Sequence, residues 1–447
     1  MSDPRPSVPA PLPVERLPLR LDPDPRRVLL RPFLPSLVVK PTGGGANTER
    51  LDCLLARLAA LPAATCDFEL ERLRHRFGDR HRTLERLARQ RWLDVLALLH
   101  PQPALSAERQ LLLGYYLTHE YALESAALFN PSLVPHPVQG GLEPGSLRVV
   151  FSLRATGEGH ISSIEFRGGV IRADGRLQLD PVSPFVFQGE VTSLEGTDGH
   201  YHVTYNPESL LSERVLFPVT ARESNGLEDA RFVRLAGEEP RYLATATAYD
   251  GQGIQTQLIE TTDFRHFSLR PLRGSAVRNK GLAFFPRPVN GAWWMLGRQD
   301  SENIHLMRST EPECWRESQV LLRPQEPWEF IQLGNCGSPL ETEAGWLVLT
   351  HGVGPVREYC IGAALLDRDD PSRVIGRLRH PLLRATEDER DGYVPNVVYS
   401  CGGLIHANVL WLPYAVSDRA TRLARVALPP LLEALRQSPP LSGPAPA

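Results

Sequence analysis

Hydrophobic residues recur with two different periods along this chain of 447 residues. From about residue 49 to residue 128 the chain has almost no glycine, and its apolar residues follow helical spacing. The spacing is clear at Leu51, Leu55 and Leu58, and it returns in runs at 84–99 and 111–128. This pattern predicts a helical domain over residues 48–129.

From Asn130 to Leu428 the pattern changes to short β-rich runs separated by Gly, Pro, Asp and Asn, with no helix-length segment between them. The runs repeat: Tyr242, Trp293 and Trp346 each open an apolar strand, at spacings of 51 and 53 residues, and Trp411 falls in a similar strand. A period of about 50 residues with several strands is typical of propeller blades, whereas a β-sandwich or jelly roll would not explain it. The predicted fold class is mainly β, a β-propeller over residues 130–428.

The two ends of the chain differ from both domains. Residues 1–47 are rich in proline, with one strand-like run at Arg27–Leu34 and a flexible PTGGGANT stretch that lacks the ending of a phosphate-binding P-loop. Residues 429–447 are predicted to hold a short helix, Pro429–Arg436, and a flexible tail. The helical domain is interpreted as a structural module suited to homo-oligomer formation.

The composition of the chain argues against several classes of function. The 49 Lys+Arg and 52 Asp+Glu residues leave a formal charge of −3, which does not favour a nucleic-acid partner. No apolar run approaches the length needed to span a bilayer, and the N-terminus lacks the apolar core of a secretory signal. We therefore expect a soluble, cytoplasmic protein with no membrane partner. None of the six cysteines forms a CxxC pair or has a histidine at zinc spacing, so no metal site is predicted.

Two adjacent carboxylates, Glu228 and Asp229, are the sharpest catalytic candidates. They follow an Asn-Gly turn in SNGLEDARFVR, Ser224–Arg234, at the start of a predicted strand. Because adjacent strand residues face opposite sides, only one of the two is expected to point into a cleft, with the other pairing outward. Partial burial could hold one carboxyl protonated as a general acid for glycosidic cleavage. A salt bridge within a turn is the alternative interpretation.

Basic residues form the second set of candidates. Lys280, Arg298, Arg154 and His351 each lie at or near the end of an apolar strand. Several cations that face one channel would need a shared anion, such as phosphate or a substrate carboxylate, whereas separate outward salt bridges would not. Lys280 and Lys40 are the only lysines in the chain, which indicates either that a compact ammonium is needed at Lys280 or that this lysine survives by chance.

Five segments of the chain resemble segments of glycoside hydrolase family 130, the β-mannoside phosphorylases and related mannosidases, and they occur in the same order as in that family. GLEDAR resembles the family's GxEDPR signature, with Ala230 in place of the usual proline. The other four segments, all resembling stretches of that family, are NKGLAFFPRPVNGAWWMLGR, GWLVLTHGV with the following YCIGAALLDRDDPSRVIGR, YVPNVVYSCG, and LPYAVSDRATRLARVAL. The resemblance covers the chain from about Asn130 to Leu428.

The resemblance implies a five-bladed β-propeller and an inverting phosphorolysis of β-linked manno-oligosaccharides, with inorganic phosphate as co-substrate and no cofactor. Asp229 matches the catalytic acid, which protonates the glycosidic oxygen directly or through a substrate hydroxyl. The resemblance also implies two binding sets: for phosphate, Lys280, Arg298, His351, Tyr359 and Arg154; for the sugar, Arg231, Glu228, Asp418 and Asn130.

Two other functions remain open from the sequence. A β-mannoside hydrolase of the same family should lose the cationic set and gain a second carboxylate to activate water. A glycan-binding propeller without catalysis would bind sugar and show no turnover. The linkage and the acceptor sugar are not determined by the sequence.

Overall fold

The computed structural model describes residues 12–33, 49–97, 99, 103–193 and 199–438. The PTGGGANT stretch and the predicted tail after Ser438 lie outside these residues. The chain divides into two compact units. The helical unit is Pro25–Leu123 with Pro184–Val186, and the β unit comprises Met1–Asp24, Glu124–Ser183 and Phe187–Ala447.

The α-helices of the described residues are α1 (Glu49–Ala60), α2 (Ala63–Phe77), α3 (Leu84–Leu96), α4 (Ala107–Tyr116) and α5 (Leu428–Arg436). The first strands are β1 (Val14–Leu21), β2 (Val28–Pro32), β3 (Thr118–Ala122), β4 (Ala127–Pro135), β5 (Leu147–Thr156), β6 (Ser162–Ile171), β7 (Leu177–Leu179), β8 (Phe187–Gln188), β9 (Glu190–Ser193), β10 (Tyr201–Thr204), β11 (Arg214–Leu216), β12 (Gly226–Arg234), β13 (Tyr242–Tyr249), β14 (Ile254–Thr261) and β15 (His266–Pro271). The remaining strands are β16 (Ala283–Phe284), β17 (Trp293–Gly297), β18 (Ile304–Ser309), β19 (Glu317–Leu322), β20 (Gln332–Asn335), β21 (Leu340–Thr342), β22 (Gly345–Val353), β23 (Tyr359–Leu366), β24 (Val374–Arg377), β25 (Leu383–Arg384), β26 (Val398–Tyr399), β27 (Leu404–His406), β28 (Val409–Val416) and β29 (Ala420–Ala427).

The helical unit packs α1 to α4 around a leucine-rich core, and β2 pairs with β3 beside them. Ser106 caps α4 by accepting a hydrogen bond from the Arg109 amide. The prediction that the last helical run reaches Leu128 is wrong, because α4 ends at Tyr116 and β3 follows. The strand that pairs with β3 comes from the N-terminal segment, and a local helical period gives no sign of this distant partner.

The β unit is built from groups of antiparallel strands, numbered here in chain order. Group one contains β4 to β7, group two β12 to β15, group three β16 to β19, and group four β20 to β25. In the sheet of groups one and two, β10 and then β9 follow β15, and β11 pairs with β6 and β8. Group five contains β26 to β29 and, paired along β29, the N-terminal strand β1. Groups one and two share a sheet through one parallel pair, Gly226 with Ser162. The mainly β class is confirmed, although the sequence did not predict β1.

Hydrophobic clusters join these groups in order. Phe166 and Phe232 lie in the cluster between groups one and two, and further clusters join group two to three, three to four and four to five. Another cluster joins group five to group one through Leu21, Trp411 and Phe151. The first and last groups therefore pack against each other.

The aromatic repeat marks the same strand in successive groups. Tyr242 begins β13 and Trp293 begins β17, as predicted, while Trp346 and Trp411 lie near the starts of β22 and β28. These four strands lie next to the first strand of groups two to five. Tyr242, Trp293 and Trp346 each pack in the cluster that joins their group to the preceding one, so the 51- and 53-residue spacings reflect a repeated packing position. Trp411 instead packs in the cluster that joins group five to group one.

Buried glutamates stabilise short turns of the β unit. Glu329 accepts hydrogen bonds from the backbone amides of Gln325 and Glu326, and its other partner is the buried Arg377 guanidinium. Glu389 closes a similar turn and accepts a hydrogen bond from the Tyr414 hydroxyl at 2.6 Å. Because one carboxylate oxygen of Glu329 and the carboxylate of Glu389 have these partners, most of the cost of burying the charge is compensated, and the loops between strands are held in fixed positions.

The described residues show neither a membrane-spanning helix nor a cluster of metal ligands. None of the helices there combines the length and the apolar character needed to span a membrane. The same residues contain no group of three or more His, Cys, Asp or Glu side chains arranged to hold a metal ion. Cys66, Cys336, Cys360 and Cys401 are buried thiols, whereas Cys53 is exposed.

Candidate active site

A pocket of about 400 Å³ opens in the β unit and collects most of the predicted site residues. Eight of the ten line it: Asn130, Arg154, Glu228, Asp229, Lys280, Arg298, Tyr359 and Asp418. The other two, Arg231 and His351, are buried and contact residues of the pocket wall. Separate outward salt bridges, the alternative considered for the cations, are therefore not what the structure shows.

Both members of the Glu228–Asp229 pair line the pocket, so the expectation that only one could do so is wrong. The pairing of β12 with β13 shifts register between Glu228 and Arg231, and Asp229 has a φ of 53°. This β-bulge interrupts the alternation of side chains that a regular strand would impose. Left-handed backbone is uncommon for residues other than glycine, but aspartate and asparagine tolerate it best.

Asn130 lies in a second bulge of the same kind. The pairing of β4 with β5 shifts register between Phe129 and Ser132, and Asn130 has a φ of 47°. Its Nδ2 donates a hydrogen bond to Asp229 Oδ1 at 2.7 Å. Two strands from successive groups thus present an amide and a carboxylate to each other through matching departures from regular β geometry.

Arg154 links the two carboxylates. Its Nη2 donates to Glu228 Oε1 at 2.7 Å, and its Nη1 lies 3.3 Å from Asp229 Oδ1. Its Nε donates to Ser162 Oγ at 2.9 Å, and its guanidinium lies over the Phe129 ring. Arg154 is thus already engaged by carboxylates, and its phosphate-binding role stays a prediction.

The ionisation of Asp229 is controlled by the cations around it. Burial alone would raise its pKa, but Arg154, followed by Lys280 and Arg231, outweighs burial, and the Asn130 hydrogen bond acts in the same direction. The pKa of Asp229 falls to about 2. In the site without ligands Asp229 is therefore a carboxylate, although the sequence analysis expected a carboxyl held protonated.

Asp418 is the carboxyl with the opposite shift. It occupies the tight turn between β28 and β29, where Ser417 and Asp418 have φ values of 47° and 49° and the Arg419 amide donates to the Val416 carbonyl at 3.0 Å. Burial and the neighbouring charge of Asp229 raise the pKa of Asp418 to about 6, against the opposing effect of Arg154 and other cations. Ionised Asp229 thus favours a protonated Asp418.

Asp418→Asn should stabilise the protein more as the pH rises. The folded-state pKa is raised above its unfolded value, so the carboxyl contributes stability below the unfolded pKa and loses it as the pH passes through about 6. The asparagine variant cannot ionise, and its gain in melting temperature over the unmodified protein should therefore be larger at about pH 7.5 than at about pH 4.5. Thermal unfolding of Asp418→Asn, with the exposed Asp391→Asn as control, checks this. An equal gain at both pH values would contradict it.

Lys280 and Arg298 add positive charge to the same pocket. Lys280 Nζ lies 3.6 Å from Glu228 Oε2, a weaker contact than the Arg154 pair. Asn279 holds this loop by donating to the Arg298 carbonyl at 2.8 Å and by accepting from the Lys280 amide at 2.9 Å. Among the described residues Arg298 has no carboxylate partner, and its buried Nε has no hydrogen-bond partner.

His351 is neutral rather than a cation, which corrects the earlier grouping. It is buried, and burial together with the charges of Arg298 and Arg231 lowers its pKa well below the usual value. Its Nε2 lies 3.3 Å from Arg298 Nη1 and accepts from it, since a guanidinium has no acceptor atom. The proton of the neutral ring is therefore on Nδ1, which is buried without a protein partner among the described residues.

A buried wall behind the pocket positions these groups. The Tyr399 and Tyr359 rings pack against His351 with ring centroids at 4.9 and 5.9 Å. Arg231 donates to the Asn335 carbonyl at 2.9 Å and to the Tyr399 hydroxyl. Arg231 therefore orients Tyr399 and adds positive charge behind Asp229; its predicted contact with sugar stays a prediction.

Sequence reasoning missed several pocket residues: His160, Arg357, Tyr393 and Tyr399. The two tyrosines lie in the quoted segment YVPNVVYSCG, but nothing marked them individually. His160 and Arg357 lie in loops whose sequences carry no recognisable motif. Only the folded backbone shows that these loops reach the pocket.

Comparison with known proteins agrees with the family resemblance of the sequence. The sequence profile of glycoside hydrolase family 130, described as beta-1,4-mannooligosaccharide phosphorylase, matches residues 160–437. A 1,2-beta-oligomannan phosphorylase from Thermoanaerobacter sp. (strain X514) is 30% identical over 218 residues, which are 48% of this chain and 72% of that protein. A beta-1,2-mannobiose phosphorylase from Listeria innocua serovar 6a is 29% identical over 253 residues, 54% of this chain and 68% of the relative.

A solved structure is also similar in fold. The beta-1,2-mannobiose phosphorylase of Listeria innocua, in complex with beta-1,2-mannobiose, superposes with a TM-score of 0.50 at 20% identity. The similarity covers 70% of this chain and 93% of that one. The profile match spans more than half of the chain and contains Asp229, Lys280, Arg298, His351 and Asp418. On this evidence the chain belongs to glycoside hydrolase family 130.

Proposed function

We propose that this protein is an inverting β-mannoside phosphorylase built on a five-bladed β-propeller. The packing of the five strand groups in order, with group five against group one through Leu21 and Phe151, supports a closed ring of blades. The first strands of groups one, two and five carry Asn130, Asp229 and Tyr399, and all three line one pocket. This is what a propeller predicts, since its innermost strands surround a common channel.

The observation that carries the proposal is positive charge without a matching carboxylate beside Asp229. Arg298 has no acidic partner among the described residues, and Lys280 holds Glu228 only at 3.6 Å. Unpaired, partly buried cations are costly, and an inorganic phosphate in this pocket would accept hydrogen bonds from both. Neutral His351 supports such a site as the hydrogen-bond partner that holds Arg298 in place.

The chemistry would then require one catalytic carboxyl. A phosphate oxygen forms a bond to the anomeric carbon while the glycosidic carbon–oxygen bond breaks on the opposite face of the sugar. The proton of Asp229 passes to the departing oxygen, directly or through a substrate hydroxyl. The products are α-mannose 1-phosphate and a sugar one unit shorter, and phosphate replaces the base-activated water of an inverting hydrolase.

Bound phosphate would also favour the protonated form of Asp229, which a general acid requires. Lys280 is the second-strongest of the cations that hold the pKa of Asp229 low, after Arg154. Negative charge from phosphate at Lys280 and Arg298 opposes that effect, so the pKa of Asp229 should rise when phosphate binds. The sugar then excludes water and favours the neutral carboxyl further.

The choice of β-mannosides rests on family membership. The named relatives act on β-1,2 linkages, whereas the matching profile is described by β-1,4-manno-oligosaccharides, so the proposal extends to the bond class and not to one linkage. Hydrolysis is the alternative with a structural observation in its favour, because Asp418 supplies a further carboxyl to the pocket.

The deciding experiment incubates the purified protein with β-1,2- and β-1,4-linked manno-oligosaccharides, with and without inorganic phosphate. We expect α-mannose 1-phosphate only in the presence of phosphate. Equal release of free mannose in both conditions would show a hydrolase and contradict the assignment of Lys280 and Arg298. Sugar binding with no product in either condition would indicate a glycan-binding protein.

A further inference from the structure

Two loops of the β unit have the same backbone conformation. Residues 157–161 join β5 to β6, and residues 354–358 join β22 to β23. In each loop the amide of the first residue donates to the carbonyl of the fifth, at 3.0 Å for Gly157 and 2.9 Å for Gly354. The third and fourth residues of both loops are left-handed, with φ values of 66° and 60° in the first loop and 57° and 57° in the second.

The equivalent fourth residues are His160 and Arg357, and both line the active-site pocket. Each side chain is exposed, and each comes from a different strand group. Among the described residues Arg357 has no hydrogen-bond or ion-pair partner, although its positive charge acts on Asp418. The same loop geometry therefore places a potential hydrogen-bond donor at two points of the pocket rim.

The second loop keeps its conformation against a local preference. Its third residue is Val356, where the first loop has Gly159. A β-branched residue is unfavourable in left-handed backbone, and Val356 is 89% exposed, so packing of its side chain does not compensate. Strained positions of this kind cluster at binding sites, where they fix a neighbouring side chain, here Arg357.

An exposed aromatic ring completes this rim. Tyr393 is 66% exposed, lines the pocket and packs against His160 with ring centroids 5.8 Å apart and planes tilted by 34°. The two rings come from segments more than 200 residues apart in sequence. An exposed aromatic pair beside a polar pocket offers an apolar face for a ligand that is polar at its edge.

We infer that His160, Tyr393 and Arg357 form a binding subsite for the neutral leaving-group sugar, separate from the phosphate-binding cations. The C–H face of a pyranose packs on the His160–Tyr393 pair, and its hydroxyl groups accept hydrogen bonds from the Arg357 guanidinium. The three residues determine which acceptor sugar is used. This subsite rests on the proposed phosphorolysis, since it receives the sugar released when the glycosidic bond breaks.

The test uses the reverse reaction, with α-mannose 1-phosphate as donor and mannose or mannobiose as acceptor. His160→Ala and Tyr393→Ala should each raise the acceptor KM by about fivefold to tenfold, as expected for loss of one aromatic contact. The KM for the donor should stay within about twofold of the value for the unmodified protein, since neither aromatic ring contacts the phosphate-binding cations. Arg357→Ala should also raise the acceptor KM and leave the phosphate KM unchanged in the forward direction.

Two matched variants separate binding from folding. Tyr393→Phe keeps the ring and should keep the acceptor KM, and Phe330→Ala removes an aromatic side chain that is 63% exposed and lies outside the pocket. An unchanged acceptor KM in both His160→Ala and Tyr393→Ala would overturn the inference. So would a phosphate KM that rises in Arg357→Ala while the acceptor KM does not, because Arg357 would then belong to the phosphate site.

Calorimetric titration with mannobiose keeps this test independent of the proposed chemistry. If the unmodified protein binds mannobiose but forms no product when phosphate is present, the phosphorylase proposal fails. Weaker mannobiose binding by Tyr393→Ala would still support the subsite. Equal affinity of the two proteins would overturn the subsite whether or not phosphorolysis is observed.

Discussion

Asp229→Asn should lower kcat/KM for phosphorolysis of a β-linked mannobiose by about 10³-fold, the usual contribution of a general acid. The substitution keeps the size of the side chain and an oxygen that can accept the Asn130 hydrogen bond, so the fold should persist. It removes the proton that the glycosidic oxygen needs as it leaves. Initial rates of α-mannose 1-phosphate formation, together with an unchanged melting curve, measure the effect.

The nature of the leaving group provides the control. An aryl β-mannoside with a nitrophenyl leaving group needs little protonation, so Asp229→Asn should lose much less activity on it than on mannobiose. An equal loss on both substrates would contradict an acid role and indicate that Asp229 positions the sugar. Asp174→Asn, at an exposed carboxylate outside the pocket, should leave both rates unchanged.

Lys280→Ala should raise the KM for phosphate by about 10- to 100-fold, the range for loss of one hydrogen bond between charged partners. Lys280 lines the pocket, and its Nζ has only a 3.6 Å contact with Glu228 to give up when phosphate binds. The KM for the oligosaccharide should change much less. Steady-state rates measured as a function of phosphate at saturating oligosaccharide separate the two constants.

Arg278→Ala is the matched control for Lys280→Ala, because Arg278 is an exposed cation two residues earlier in the same loop and lies outside the pocket. Its phosphate KM should stay near that of the unmodified protein. If Lys280→Ala leaves the phosphate KM unchanged, or if both variants raise it equally, the cations at this end of the pocket do not form the phosphate site.

The spacing of apolar residues predicted most strands of the β unit, because this spacing depends on the local geometry of the backbone. Tyr242 and Trp293 open their strands as predicted, and α5 begins one residue before its predicted start. Strand β1 was missed because its partner is β29, at the other end of the chain. A strand paired over such a distance leaves only a weak signal in its own eight residues.

The sequence by itself determined which chemical groups this protein has available: an adjacent carboxylate pair, a lone lysine in the β-rich region, and arginines and a histidine near strand ends. Only the tertiary structure decided their geometry and charge. Two β-bulges bring Asn130 and Asp229, 99 residues apart, within 2.7 Å, and they let Glu228 and Asp229 face the same pocket. Cations from distant segments then keep Asp229 ionised, and burial keeps His351 neutral. These properties depend on distance and solvent exclusion between segments far apart in the chain, which a pattern of residue types does not encode.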